Sequence, residues 1–141
     1  MLFRSLSLAA VAALALAAPA VAEDVTVTLT GVEARGGVLL AALQTEGQFM
    51  QAAGAYGERI VDPAAGVVRV TFRNVAPGDY ALMVLHDEDG DGRMTMDGSM
   101  PAEGWAMVNG DSLRAAPTFD DVKFSVPAAG VALTVPMAYP R

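Results

Sequence analysis

The sequence predicts an all-β fold, a single antiparallel β-sandwich of seven strands, within limits of six to eight. Three observations carry this. Apolar and polar residues alternate with a period of two in several short runs. Glycine and proline turn signals separate those runs, and no segment shows a sustained helical repeat. A closed barrel is the structural alternative.

The runs justify themselves in order. In DVTVTLT, Val25, Val27 and Leu29 share one face and Thr26, Thr28 and Thr30 the other, a half-buried β-branched strand. Gly36-Gly37 precedes VLLAAL at residues 38–43, which reads as the second arm of a first hairpin. Residues 46–57 hold at most one helical turn. VVRVTFR places Val68, Val70 and Phe72 opposite Arg69, Thr71 and Arg73. Pro77-Gly78-Asp79 turns the chain into YALMVLH, apolar on both faces and therefore a central, covered strand. Val122, Phe124 and Val126 precede a last strand of Val131, Leu133, Val135, Met137 and Tyr139, where Pro136 marks an unpaired edge. Residues 99–121 lack periodicity and form a long irregular loop.

The first 22 residues read differently. MLFR, an apolar run at residues 6–18, Pro19 and the small triplet Ala20-Val21-Ala22 make a secretory signal pattern with cleavage after Ala22. Residues 23–141 are then the sandwich domain, exported to the periplasm or secreted, with no membrane span in the mature chain. Losing Arg4 with the leader leaves eight basic against sixteen acidic residues, a net charge of −8. That balance excludes phosphate-backbone binding, hence nucleic acid. The chain has no cysteine, which excludes a disulfide frame, a thiolate nucleophile and zinc–thiolate sites.

The chemistry concentrates in HDEDGDGRMTMDG, residues 86–98, with five carboxylates: Asp87, Glu88, Asp89, Asp91 and Asp97. Asp87, Asp89 and Asp91 match the first three ligand positions of a D-x-D-x-D-G calcium loop, Gly92 its bend and the Arg93 backbone carbonyl the next ligand. The twelfth position is Gly98 and the flanks are not helical, so an EF-hand is excluded. The missing carboxylate is Asp97 or Glu103, and Asn109 offers an amide oxygen. The competing reading is an acidic turn that binds nothing.

His86, the single histidine, closes its strand as a residue hydrogen-bonded to the following loop. Ser99 and Ser112 lack any nucleophile setting, so hydrolysis through His86 ranks last and no catalytic residue is assigned. Trp105 packs over the loop or serves as a platform for a sugar or peptide. Met94, Met96, Met100 and Met107 read as flexible packing rather than a copper(I) site.

Together these pieces resemble a known family. PGDYALMVLHDEDGDG, MPAEGW with a following Asn, PTFDDVKF and a closing MAY look like the domain-of-unknown-function 2141 family of bacteria. Gly78, Tyr80 and Ala81, then His86, Asp87, Asp89, Asp91 and Gly92, fall on its pattern. So do Pro101, Glu103, Gly104, Trp105 and Asn109, followed by Pro117, Phe119, Asp121 and Phe124. Asp stands at 89 and 91 where Asn is frequent, Trp105 replaces a usual Tyr, and Ala106-Met107 a usual Gly-Phe. The resemblance implies an Ig-like or prealbumin-like sandwich, similar in plan to transthyretin-like and carboxypeptidase-regulatory domains, and no assigned reaction. The expectation is a non-enzymatic exported domain that binds Ca2+ at the acidic loop and presents a surface to a protein or glycan.

Overall fold

The computed structural model describes residues 22–141; the leader reading lies almost wholly outside them. Seven strands of four or more residues build two facing sheets. They are β1 (Glu23–Val32), β2 (Val38–Gln44), β3 (Tyr56–Val61), β4 (Gly66–Val75) and β5 (Gly78–Asp87), with β9 (Lys123–Val126) and β10 (Val131–Pro136) nearer the C-terminus. Between β5 and β9 lie three short strands, β6 (Met96–Asp97), β7 (Met100–Pro101) and β8 (Gly104–Ala106), and a single helical turn, α1 (Phe119–Val122).

One sheet runs β10-β1-β4. The other runs β3-β2-β5, with β8 and β9 both on the far edge of β5. The fold is thus an all-β sandwich. Every pairing is antiparallel except β1 with β10, which is parallel.

The period-two patterns determine which side chains meet. Val25, Val27 and Leu29 are fully buried, aligned with Phe72, Val70 and Val68 of β4 on one side and Val131, Leu133 and Val135 of β10 on the other. Leu39, Ala41 and Leu43 of β2 and Tyr80, Leu82 and Val84 of β5 complete the same core from the opposite sheet. β5 is covered on both faces, as its composition predicts. Its other face sets Ala81 and Met83 against Met107, Val122, Trp105, Leu113, Phe119 and Phe49, a second apolar cluster under residues 107–122. Residues 99–121 are less irregular than expected, since β7 and β8 lie within them and α1 begins there.

The predicted first hairpin does not form. β1 and β2 do not pair; residues 33–37 carry the chain from one sheet to the other. The two apolar faces meet across the core instead of side by side, and left-handed Gly36 and Gly37 turn the chain over. β3 is the strand that sequence reading missed, because YGERIV is exposed along most of its length. The 46–57 segment does hold one turn, a 3-10 turn at Glu46–Gln48.

The C-terminal chain joins the sheets. After β10, the Met137 N–H donates to the Thr30 carbonyl, and Ala138 then exchanges both backbone hydrogen bonds with Trp105 of β8, at 2.8 and 2.9 Å. The next residue, Tyr139, packs its ring directly on Gly104, where any Cβ would collide with Cε1 and Cδ1 of that ring. Gly104→Ala is expected to destabilise the protein by about 1–3 kcal/mol through overpacking. Gly57→Ala, where an added Cβ would make only an ordinary contact with the Ala41 carbonyl at 3.9 Å, should stay within about 0.5 kcal/mol of wild type. Urea denaturation of the two variants tests the pair.

Candidate metal centre

β5 delivers Asp87 at the end of the sandwich, and the chain curls back toward β6 through two left-handed glycines, Gly90 (φ 79°) and Gly92 (φ 74°). The curl is held by its own carboxylates. Asp87 Oδ1 accepts the Gly90 N–H and Oδ2 the Gly92 N–H, each at 2.9 Å. Asp89 Oδ1 accepts the Asp91 N–H at 3.1 Å, and Oδ2 faces the Thr95 hydroxyl at 3.3 Å. Asp91 Oδ1 accepts the Arg93 N–H at 2.7 Å.

These bonds bring one oxygen each of Asp87, Asp89 and Asp91 within 4.8 Å of one another. Asp87 is buried, and the other two are exposed. An ionised carboxylate has about four lone-pair sites, so each retains acceptor capacity beyond its N–H partners. Three like charges this close repel by about 1 kcal/mol per pair even at the dielectric of water. Among the described residues no ion pair reaches any of the three. The Asp91 N–H in particular holds the Asp89 carboxyl below its ordinary range.

The two candidates for a fourth carboxylate have other places. Glu103 is buried and faces the loop, but both its oxygens are engaged: Oε1 accepts the Glu88 N–H and Oε2 the Thr95 N–H, each at 2.9 Å. It clamps the two ends of the loop together and lies outside the three-aspartate group. Asp97 sits on the exposed β6–β7 hairpin, also outside that group. Arg93 follows Asp91 on the curl with its N–H already given.

His86 is completely buried, and its partners are not the following loop but two distant segments. Nε2 lies 2.7 Å from the Gly36 carbonyl and Nδ1 2.8 Å from the Tyr139 hydroxyl. A carbonyl only accepts, so Nε2 carries the proton and Nδ1 accepts from Tyr139 O–H; that tautomer is assigned from its partners. The Tyr139 oxygen in turn accepts the Glu33 N–H at 3.1 Å, and burial raises this phenol above its ordinary pKa. With both ring nitrogens engaged, His86 is a structural tie. Arg35 lies 4.8 Å over the Tyr139 ring and bridges Glu33 and Glu88, which connects this tie to the acidic loop. Gly37 completes the corner, since any side chain there would strike the Asp87 carbonyl.

Trp105 is half-buried over Gly110 and packs against the second apolar cluster. Asn109 does not join the aspartates. It adopts a left-handed conformation and turns its amide toward the Asp121 carbonyl, 3.4 Å away. Met107 is buried as the packing reading requires, whereas Met96 and Met100 are 51 % and 67 % exposed. Sequence reasoning did not single out Tyr139 for the site. The available signal was its in-phase position closing the last alternating run.

Fold and loop together define the class: an all-β sandwich whose central strand ends in a D-x-D-x-D-G curl able to hold a metal ion. The chain matches, over residues 27–134, the family described as "Uncharacterized protein conserved in bacteria (DUF2141)", and it belongs to that family. No curated protein and no solved structure matches it.

Tyr139→Phe removes the hydroxyl that donates to the buried His86 and accepts the Glu33 N–H, and is expected to cost about 1–3 kcal/mol in urea denaturation. 15N NMR of His86 should show the Nε2–H tautomer in wild type. For Asp89 the sign is that of a depressed acid. Its folded value lies below the unfolded one, so its contribution to stability is complete above the ordinary Asp range and lost as pH falls through the folded value. A carboxyl-carbon NMR titration should find its midpoint below the ordinary Asp value of 3.8.

Proposed function

We propose that this chain is an exported, non-enzymatic β-sandwich domain whose acidic curl binds Ca2+ and thereby fixes the segment after it as a surface for a ligand or protein. One observation carries the reading: three carboxylate oxygens converge within 4.8 Å without a cationic partner among the described residues. The donor set favours calcium. It is all oxygen, with no imidazole or thiolate, which suits a hard cation that takes six to eight oxygens. Asp87, Asp89 and Asp91 are the side-chain ligands, the Arg93 carbonyl the backbone ligand, and water the remainder. So few protein ligands set a weak affinity, of order 0.1–1 mM, as in extracellular modules. At millimolar calcium this stabilises the fold by about 0.4–1.4 kcal/mol. The periplasm or the exterior, implied by the signal pattern of residues 1–22, is the compartment of the proposal.

The second reading is an interaction or adhesion module in which the acidic turn is purely structural. The five hydrogen bonds that already hold the curl together favour it.

Thermal melts separate the two. At 5–10 mM calcium the wild type should melt higher than in chelator, and Asp89→Ala should lose that increment. A wild type indifferent to calcium at these concentrations leaves the structural turn as the reading. Terbium luminescence sensitised by Trp105 reports how near the ion lies to that ring. For export, the protein recovered from the periplasmic fraction or the medium should begin at Glu23.

A further inference from the structure

We infer that the outer edge of β10 is a docking site for an extended basic peptide, bound by strand addition in a notch that the acidic loop does not share.

The notch follows from how the C-terminal chain pairs. Ala138 is bonded to Trp105 of β8, and from that point the two chains diverge. β10 continues along β1, while residues 107–111 leave toward the second apolar cluster. Between them opens a cavity of about 230 Å³, with Val108, Asn109 and Asp111 on one wall and Leu133, Thr134 and Pro136 on the other.

β10 terminates its sheet, so one of its edges has no strand beside it. The direction of its backbone groups is fixed by the bond from Met137 N–H to the Thr30 carbonyl. In a parallel ladder alternate residues face the neighbour. Val135 and Met137 therefore face β1, and Ala132, Thr134 and Pro136 face the notch. Pro136 brings no N–H, but Ala132 and Thr134 each present a donor and an acceptor. Such a row is a template for one more strand, in which main-chain bonds supply affinity and alternate side chains specificity.

The walls define the occupant. Leu133 and Val108 are half-exposed apolar side chains, suited to an apolar residue at alternate positions of the incoming strand. On the Val108 wall the Asp111 carboxylate is exposed, and among the described residues its hydrogen-bond partner is the Ser112 hydroxyl at 3.5 Å. Arg114 is close, but its Nη1 donates to the carbonyls of Asp111 and Leu113, at 3.1 and 2.9 Å, and among the described residues it forms no ion pair with the Asp111 carboxylate. With a chain charge of −7, the complement is a Lys or Arg in the peptide.

The probe is an acetylated, amidated (Lys-Val)4 peptide, added to 15N-labelled protein in chelator so that the outcome is independent of any cation at the aspartates. Amide shifts should centre on Ala132, Thr134 and Asp111, and hydrogen exchange at Ala132 and Thr134 should slow. Thr134→Pro removes an N–H that faces the notch rather than β1, and should weaken binding about five- to tenfold, the worth of roughly one hydrogen bond. Asp111→Lys, on an exposed turn, should weaken it and remove most of its salt dependence. Should Thr134→Pro fail to fold, Asp111→Lys decides alone. Unchanged affinity in Asp111→Lys, equal binding of (Glu-Val)4, or shifts confined to residues 87–97 would overturn the inference. So would self-association of the protein through this edge, read by sedimentation.

Discussion

The functional end of the sandwich depends on one constraint: β5 carries polar side chains into the interior just where it leaves the sheet, and each must be paired. His86 and Asp87 are buried at consecutive positions, and Glu103 is buried beside them. An unpaired donor or acceptor there costs a large share of a small domain's net stability. Three otherwise separate segments supply the partners: the Gly36 carbonyl from the β1–β2 connection, the Tyr139 hydroxyl from the C-terminus, and the loop's own backbone N–H groups. Among the described residues no buried side-chain nitrogen or oxygen lacks a partner. The glycines follow from the same constraint. Gly37 and Gly104 are where other chains press against that end, and neither position has room for a Cβ.

Two carboxylates of similar burial thus do different jobs. Asp87 holds the curl through the Gly90 and Gly92 N–H groups and has an oxygen within 4.8 Å of Asp89 and Asp91, while Glu103 closes the loop's base through the Glu88 and Thr95 N–H groups and lies outside that group. Spacing along the chain could not tell them apart. Nor could it reveal that Arg35, fifty-three positions from Glu88, is the cation nearest to the loop's acidic start. The loop is organised by hydrogen bonds from its own backbone to its carboxylates.

Much of the fold was legible because period-two patterning in this chain is clean. The inward sets of β1, β4 and β10 were named from alternation, and the two-sided cover of β5 from its unbroken apolar run. The D-x-D-x-D-G curl was legible too, since turn geometry and carboxylate spacing are local. What failed was non-local. The strand partners of β1 depend on a chain reversal at residues 33–37 and on β10, about a hundred residues away, which adjacency in sequence cannot express. β3 lacked the apolar signal because one face of it meets solvent. His86 read correctly as a strand-end tie but was given to the wrong neighbours. Its true partners are distant in sequence and carry no motif.

The parallel pairing of β1 with β10 also sets an order of events. The first strand of the domain lies between β4 and the last strand, so its sheet stays two-stranded until residue 136 is free to dock. Closure of this kind brings together chain ends of maximal separation and belongs late in folding. Without residues 131–136 the edge of β1 that faces β10 is bare, and the Tyr139 tie lies beyond that strand. Completion of this sheet therefore waits for β10, whatever order the rest of the sandwich forms in.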